Sequence, residues 1–171
     1  KDHLKRIISQ QHKYKRMKKL IYFFFLSLFI SACSSTDCPL SSGVLSRYKL
    51  MGNIKKLADT LTISTQRHTS GDTVLLNKAV NVDSFDLPMS FQGNEDVLFL
   101  SVTDTNKVTW KDTIRITKTN EPHFESVDCA AAFFHTIQKV TFSRNAIDSV
   151  VVHKSKVTND NSQTHFYLYF K

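Results

Sequence analysis

The sequence predicts an all-β fold: a single antiparallel β-sandwich, Ig-like or jelly-roll-like, over residues 38–171. Three observations predict it. Short β-branched or apolar runs recur every 8 to 14 residues, separated by polar turns. Several of these runs alternate apolar and polar residues with period two, as a half-buried strand requires. No stretch sustains a 3.6-residue apolar period over the length of a helix.

The elements follow in chain order. Residues 44–51 (VLSRYKLM) form the first expected strand. Two strands then open on an aspartate, Asp59-Thr60-Leu61-Thr62-Ile63 and Asp72-Thr73-Val74-Leu75-Leu76, with Leu61/Ile63 and Val74/Leu76 as their apolar faces. Residues 84–91 and 96–103 follow, with Gly93-Asn94 and Thr105-Asn106 as turns. Asp112-Thr113-Ile114-Arg115-Ile116 repeats the aspartate-led pattern with Ile114/Ile116 inward, and Asp148-Ser149-Val150-Val151-Val152 repeats it again. Between these two, 136–142 is a strand and 128–135 (DCAAAFFH) reads as one helical turn or a packed loop. Ser143-Arg144-Asn145 reads as a hairpin turn leading to the strand that follows. The last strand is 164–170 (THFYLYF). Its alternation of Phe166, Leu168 and Phe170 with Tyr167 and Tyr169 marks a terminal core strand better than a carbohydrate platform. The aspartate-led motifs are spaced too unevenly to be structural repeats.

Ahead of this domain the chain changes character. Met17-Lys18-Lys19 is followed by the apolar run Leu20–Ile30 and by Ile30-Ser31-Ala32-Cys33. A charged start, a short apolar core and small residues before a cysteine resemble a bacterial lipoprotein signal peptide over residues 17–32. The thiol of Cys33 would then become the thioether to diacylglycerol. As a helix, Leu20–Cys33 would reach only about 21 Å, against a hydrocarbon core of about 30 Å, so a spanning anchor fits less well. Residues 1–16 (KDHLKRIISQQHKYKR) read as mistranslated sequence upstream of the true start; a basic arm for nucleic acid or an anionic membrane is the other reading. Residues 33–37 are the lipidated tether.

The net charge of +8 belongs to the leader. Residues 1–32 carry eight Lys/Arg and one Asp, a net of +7; the remaining fifteen Lys/Arg and fourteen Asp/Glu leave the mature part at +1. This near-neutral balance sets nucleic acid aside. Of the three cysteines, Cys33 goes to lipid, leaving Cys38 and Cys129 as a pair in an oxidising compartment, where a bridge is expected. Two free thiols are the alternative, and no C-x-x-C is present.

Catalytic constellations are sparse. There is no G-x-S-x-G elbow and no glycine-rich phosphate loop. A Cys129/His135 nucleophile competes with the disulfide, and Glu95-Asp96 reads as an exposed turn. A metal would need converging ligands such as His123, Asp128 and His135; no H-E-x-x-H or H-x-H occurs, and no metal or other cofactor is expected. His68, His153 and His165 read as strand-end residues.

The four aspartate-led triplets also resemble the O-glycosylation acceptor of Bacteroidota envelope proteins, which would place sugars on Thr60, Thr73, Thr113 and Ser149. Good strand-opening chemistry explains the same triplet.

The stretches Thr119–Cys129, Phe133-Phe134-His135-Thr136-Ile137, Asn145–Val150, Cys38-Pro39-Leu40, Leu76–Val80, Leu87-Pro88-Met89 and His165–Phe170 together resemble a family of Bacteroidota lipoproteins classed only as a domain of unknown function. The resemblance covers nearly all of 38–171. It implies a small β-rich lipoprotein domain with no catalytic residues to carry over. Ser34 at the position after the lipid cysteine favours the outer membrane over inner-membrane retention. Asp37 without an acidic cluster favours its periplasmic face. The expected role is a non-catalytic binding or scaffolding module for another envelope protein, anchored through the lipid on Cys33. A glycan-binding module around Trp110 and a metal-dependent envelope enzyme are the alternatives.

Overall fold

Two sheets of alternating strands face one another across a shared apolar core, as the computed structural model of the protein shows. The chain divides into two units, Lys1–Asp37 and Cys38–Lys171. The structure describes residues 43–67, 71–124 and 129–171, all in the second unit. The expected signal peptide over 17–32, the expected tether over 33–37 with Cys33, and Cys38, His68 and Asp128 lie outside the described residues.

The strands are β1 (Leu45–Met51), β2 (Thr60–Arg67), β3 (Gly71–Ala79), β4 (Ser84–Pro88), β5 (Glu95–Thr103), β6 (Thr109–His123), β7 (Ala132–Phe142), β8 (Ile147–Val152), β9 (Lys156–Val157) and β10 (Phe166–Phe170). The smaller sheet has the order β4-β1-β10-β8 and the larger β3-β2-β5-β6-β7-β9. No helix occurs among the described residues.

Period-two alternation builds the core. Tyr48 and Leu50 of β1, Leu98, Leu100 and Val102 of β5, Ile114 and Ile116 of β6, and Phe166, Leu168 and Phe170 of β10 all point inward and are buried. In the smaller sheet the Tyr48 ring is stacked between Phe85 and Phe166, at centroid distances of 5.0 and 4.6 Å. Phe166, Leu168 and Phe170 therefore line the core, as their alternation predicts.

Four features depart from the sequence reading. The sandwich is not wholly antiparallel, because β1 and β10 pair in parallel, with Tyr48 opposite Phe166. They come from the two ends of the domain, so the long connection a parallel pair needs is available. The expected helical turn near 128–135 is overturned where it is described: β7 begins at Ala132. β6 continues to His123 and offers it a full ladder, and this pairing overrides the helix propensity of an Ala-rich stretch. Beyond Thr117, β6 has no β5 partner, so Pro122 sits where a missing N–H is tolerated. The turn at 143–146 is not a hairpin: β7 and β8 belong to different sheets, and the turn carries the chain between them. Finally, Val74 is 53 % exposed while Leu75 and Leu76 pack on the core, because register shifts in the β2–β3 ladder break the alternation of this edge strand.

One residue holds the 143–146 crossing. Asp112 points inward from β6 and is buried. Its Oδ1 accepts the Ser143 hydroxyl at 2.5 Å and the Asn145 amide at 2.8 Å; its Oδ2 accepts the amides of Ala146 and Ile147 at 2.7 and 2.9 Å. Burial alone would raise its pKa, but the Ser143 hydroxyl and the three amides outweigh burial and hold it below the usual carboxylate range. Because the folded pKa lies below the unfolded one, this stabilisation is present above the ordinary carboxylate pKa and fades as pH falls below it. Asp112→Asn turns one acceptor oxygen into a donor facing amides. It should lower the unfolding free energy by about 2–3 kcal/mol in urea titrations at neutral pH.

A second expectation concerns Gly52, just after β1. Its φ is +82°, and an added Cβ would lie 2.9 Å from the Tyr169 ring. Gly52→Ala should therefore cost about 1–2 kcal/mol, measured the same way.

Candidate functional site

The densest polar chemistry among the described residues lies at the opposite end of β6 from Asp112. Extending the inward parity of Ile114 and Ile116 places the next two inward positions at Lys118 and Asn120. Lys118 is fully buried. Its ammonium donates to the carbonyls of Ser90 and Gly93 and to Asn120 Oδ1 at 3.1 Å, and Asp96 Oδ1 lies 3.6 Å away. Three N–H bonds meet three oxygens, so the charged form is fully used. Burial pushes the Asp96 carboxyl up and the Lys118 amine down, and each group partly offsets the other's shift. The Ser90 amide adds a bond to Asp96 Oδ2 at 3.4 Å.

These bonds staple the 89–94 segment, which crosses from β4 to β5. Asn120 Nδ2 donates to the carbonyls of Phe91 and Gly93, at 3.3 and 2.8 Å, and the Lys118 amide donates to Asn94 O at 2.8 Å. Gly93, with φ +81°, makes the backbone reversal this arrangement needs. Phe91 is thereby presented outward. It is 49 % exposed, and its ring stacks on Phe133 at 5.0 Å.

His135 completes the cluster. Its Nδ1 lies 2.8 Å from Asn120 Oδ1. Asn120 Nδ2 is fixed as a donor by its two carbonyls, so Oδ1 accepts and His135 Nδ1 carries the proton. Nε2 is then a bare acceptor, buried without a hydrogen-bond partner. Burial, reinforced by the Lys118 charge, lowers the His135 pKa to about 4.

The other sequence-selected residues scatter. His123 stacks on Phe134 at 4.4 Å, and His153 stacks on Tyr167 at 4.4 Å. His165 is buried and accepts the Arg47 amide at Nδ1. The structure thus separates the roles of His123 and His135, and no group of metal-ligating side chains forms among the described residues. Cys129 is disulfide-bonded, and its expected partner Cys38 lies outside the described residues. Thr60, Thr73, Thr113 and Ser149 lie in four different strands and are each half-buried. Trp110 is 40 % exposed beside the β5–β6 hairpin, in the other sheet from the aromatic C-terminal strand. Glu95 makes an exposed ion pair with Arg115, whereas Asp96 beside it turns inward. Lys118, Asn120 and Asp96 carry the cluster and were missed by motif reading. The strand parity running through Ile114 and Ile116 is the signal that finds Lys118 and Asn120.

Fold and site together define a small β-sandwich domain in which buried charged groups hold two of the crossings between sheets and leave an aromatic rim at one end. Residues 60–170 match the family described as Family of unknown function (DUF6452), and the chain belongs to this family. No curated protein and no solved structure matches it.

The site generates two expectations. Lys118→Met strands Asp96 and the loop carbonyls without partners and should cost about 3–5 kcal/mol. Adding Asp96→Asn should recover part of that loss in a double-mutant cycle by urea unfolding. The second concerns pH. The folded pKa of His135 lies below the ordinary 6.5, so its contribution is complete above pH 6.5 and is lost as pH falls towards 4. At pH 5 the loss should be about 2 kcal/mol. His165, also lowered chiefly by burial, adds to it with the same sign, while Asp96, raised, opposes it at the acid end. Comparing unfolding free energies at pH 7.5 and pH 5 for the native protein and His135→Gln isolates the His135 share.

Proposed function

We propose that this protein is a lipid-anchored envelope protein, tethered through Cys33 at the periplasmic face of the outer membrane. Its β-sandwich would act as a non-catalytic binding or scaffolding module for another envelope protein. The observation that carries the anchor is the sequence Met17–Cys33: charged start, short apolar run, small residues and cysteine. No helix among the described residues is long and apolar enough to cross a membrane. The non-catalytic reading is supported by how the polar side chains are employed. Lys118, Asp96, Asn120 and Asp112 are buried or packed in bonds to backbone, and each holds a chain crossing in place. Small β-domains of this kind work through surfaces and strand edges.

A glycan-binding module is the second reading, and the exposure of Trp110 favours it. Sugars on Thr60, Thr73, Thr113 and Ser149 are compatible with their half-buried strand positions.

The intact mass of protein extracted from membranes, with and without reductant, tests the anchor. The expected mass is residues 33–171 plus acyl chains, rising by about two daltons on reduction as the Cys38–Cys129 bridge opens. Hexose-sized increments would add glycosylation. An unacylated mass that includes the leader would overturn the anchored reading.

A further inference from the structure

The two ends of the sandwich differ, and the difference has a direction. One end carries the β5–β6 hairpin with Trp110 and the 143–146 crossing. The other gathers the start of β1, the 89–94 crossing, the end of β6 and the start of β7. The Met89 amide donates to Val44 O at 3.2 Å, so the chain enters the domain directly beside the segment that presents Phe91. Phe91 is 49 % exposed and Phe124, just past β6, is 69 % exposed. Leu45, the first residue of β1, is 37 % exposed at the same end. Cys129, disulfide-bonded, precedes β7 here as well.

From this geometry we infer that the Phe91/Phe124 end is a bilayer-contact surface, with the two rings seated in the lipid headgroup region. The inference rests on the anchor at Cys33 proposed above, and it specifies which face of the domain meets the membrane.

Chain length supports the lipid surface as occupant. Four residues separate Cys33 from Cys38, five Cα–Cα steps with a reach of at most about 18 Å. A Cys38–Cys129 bridge would hold Cys38 within about 6 Å of Cys129, Cα to Cα. The lipid would then lie closer to this end than the length of β5, about 30 Å for nine residues. Aromatic rings with an apolar body suit the membrane interface. Phe91 is presented without entropic looseness: the Ser90, Phe91, Gly93 and Asn94 carbonyls are all bonded to Lys118 or Asn120, and its ring rests on Phe133.

The test uses the full lipidated protein reconstituted into phosphatidylethanolamine–phosphatidylglycerol vesicles containing brominated lipid. Trp110 is the only tryptophan, so the native protein reports the far end. Phe91→Trp and Phe124→Trp report the near end, and Phe124, being largely exposed, tolerates the change if position 91 does not. The expected result is vesicle flotation of all forms, with quenching and a blue shift for tryptophan at 91 or 124 and neither for Trp110. Flotation without quenching at either position overturns the bilayer contact, leaves the anchor intact and assigns the aromatic end to a protein partner. Failure to float, with no acyl mass, overturns the anchor and the contact together.

Discussion

The architecture depends on a buried ammonium. Lys118 extends from the middle of the larger sheet into the buried interior and there meets the carbonyls of the 89–94 segment, one of those that join the two sheets. Removing a lysine charge from water is expensive, and it persists here because every N–H has an oxygen and Asp96 supplies the balancing charge. The cluster ties the segment from β4 to β5 to the larger sheet along the route observed, and removing one partner would leave the others buried and unpaired.

Asp112 performs the mirror task on the same strand. Six residues from Lys118 and on the same inward face, its carboxylate collects the hydroxyl and amides of the 143–147 crossing from β7 to β8. β6 thus carries an anion towards one end and a cation towards the other. The signs suit their partners, since one crossing presents N–H groups and the other C=O groups. Between them Ile114 and Ile116 fill the apolar interior. A single strand fixes two of the six places where the chain changes sheets between β1 and β10, while apolar burial supplies the bulk of the stability.

Legibility in the sequence divides along the same line. Burial on one face leaves a period-two signature, so β1, β5 and β10 can be read almost to their ends. Bulges leave none. Asp148 is an extra residue opposite the Tyr169/Phe170 step, and it lets Ile147 and Val150 both face inward although they are three apart. The parallel pairing of β1 with β10 was likewise invisible, because the order of strands in a sheet depends on packing between distant segments. The Asp112 triplet shows how a local pattern misleads. Read alone it matches three other triplets, yet Asp72 and Asp148 are exposed, Asp59 is half-buried and only Asp112 is buried against a crossing. Lys118 was readable in principle: its parity is inward, and a lysine at an inward position demands acceptors.

That demand bears on where function can reside. His135 is buried and tied to the Asn120 side chain, and Lys118 has no free donor because its N–H groups are bonded to backbone carbonyls and to Asn120. What this commitment produces at the surface is a rigid crossing with an aromatic residue at its tip. Rigidity matters there because a ring that is already ordered loses little freedom on contact, whether with lipid or with protein. The buried polar cluster and the exposed aromatic rim are therefore one device: the cluster spends its polar groups inside so that Phe91, seated on Phe133, is displayed in a single position outside.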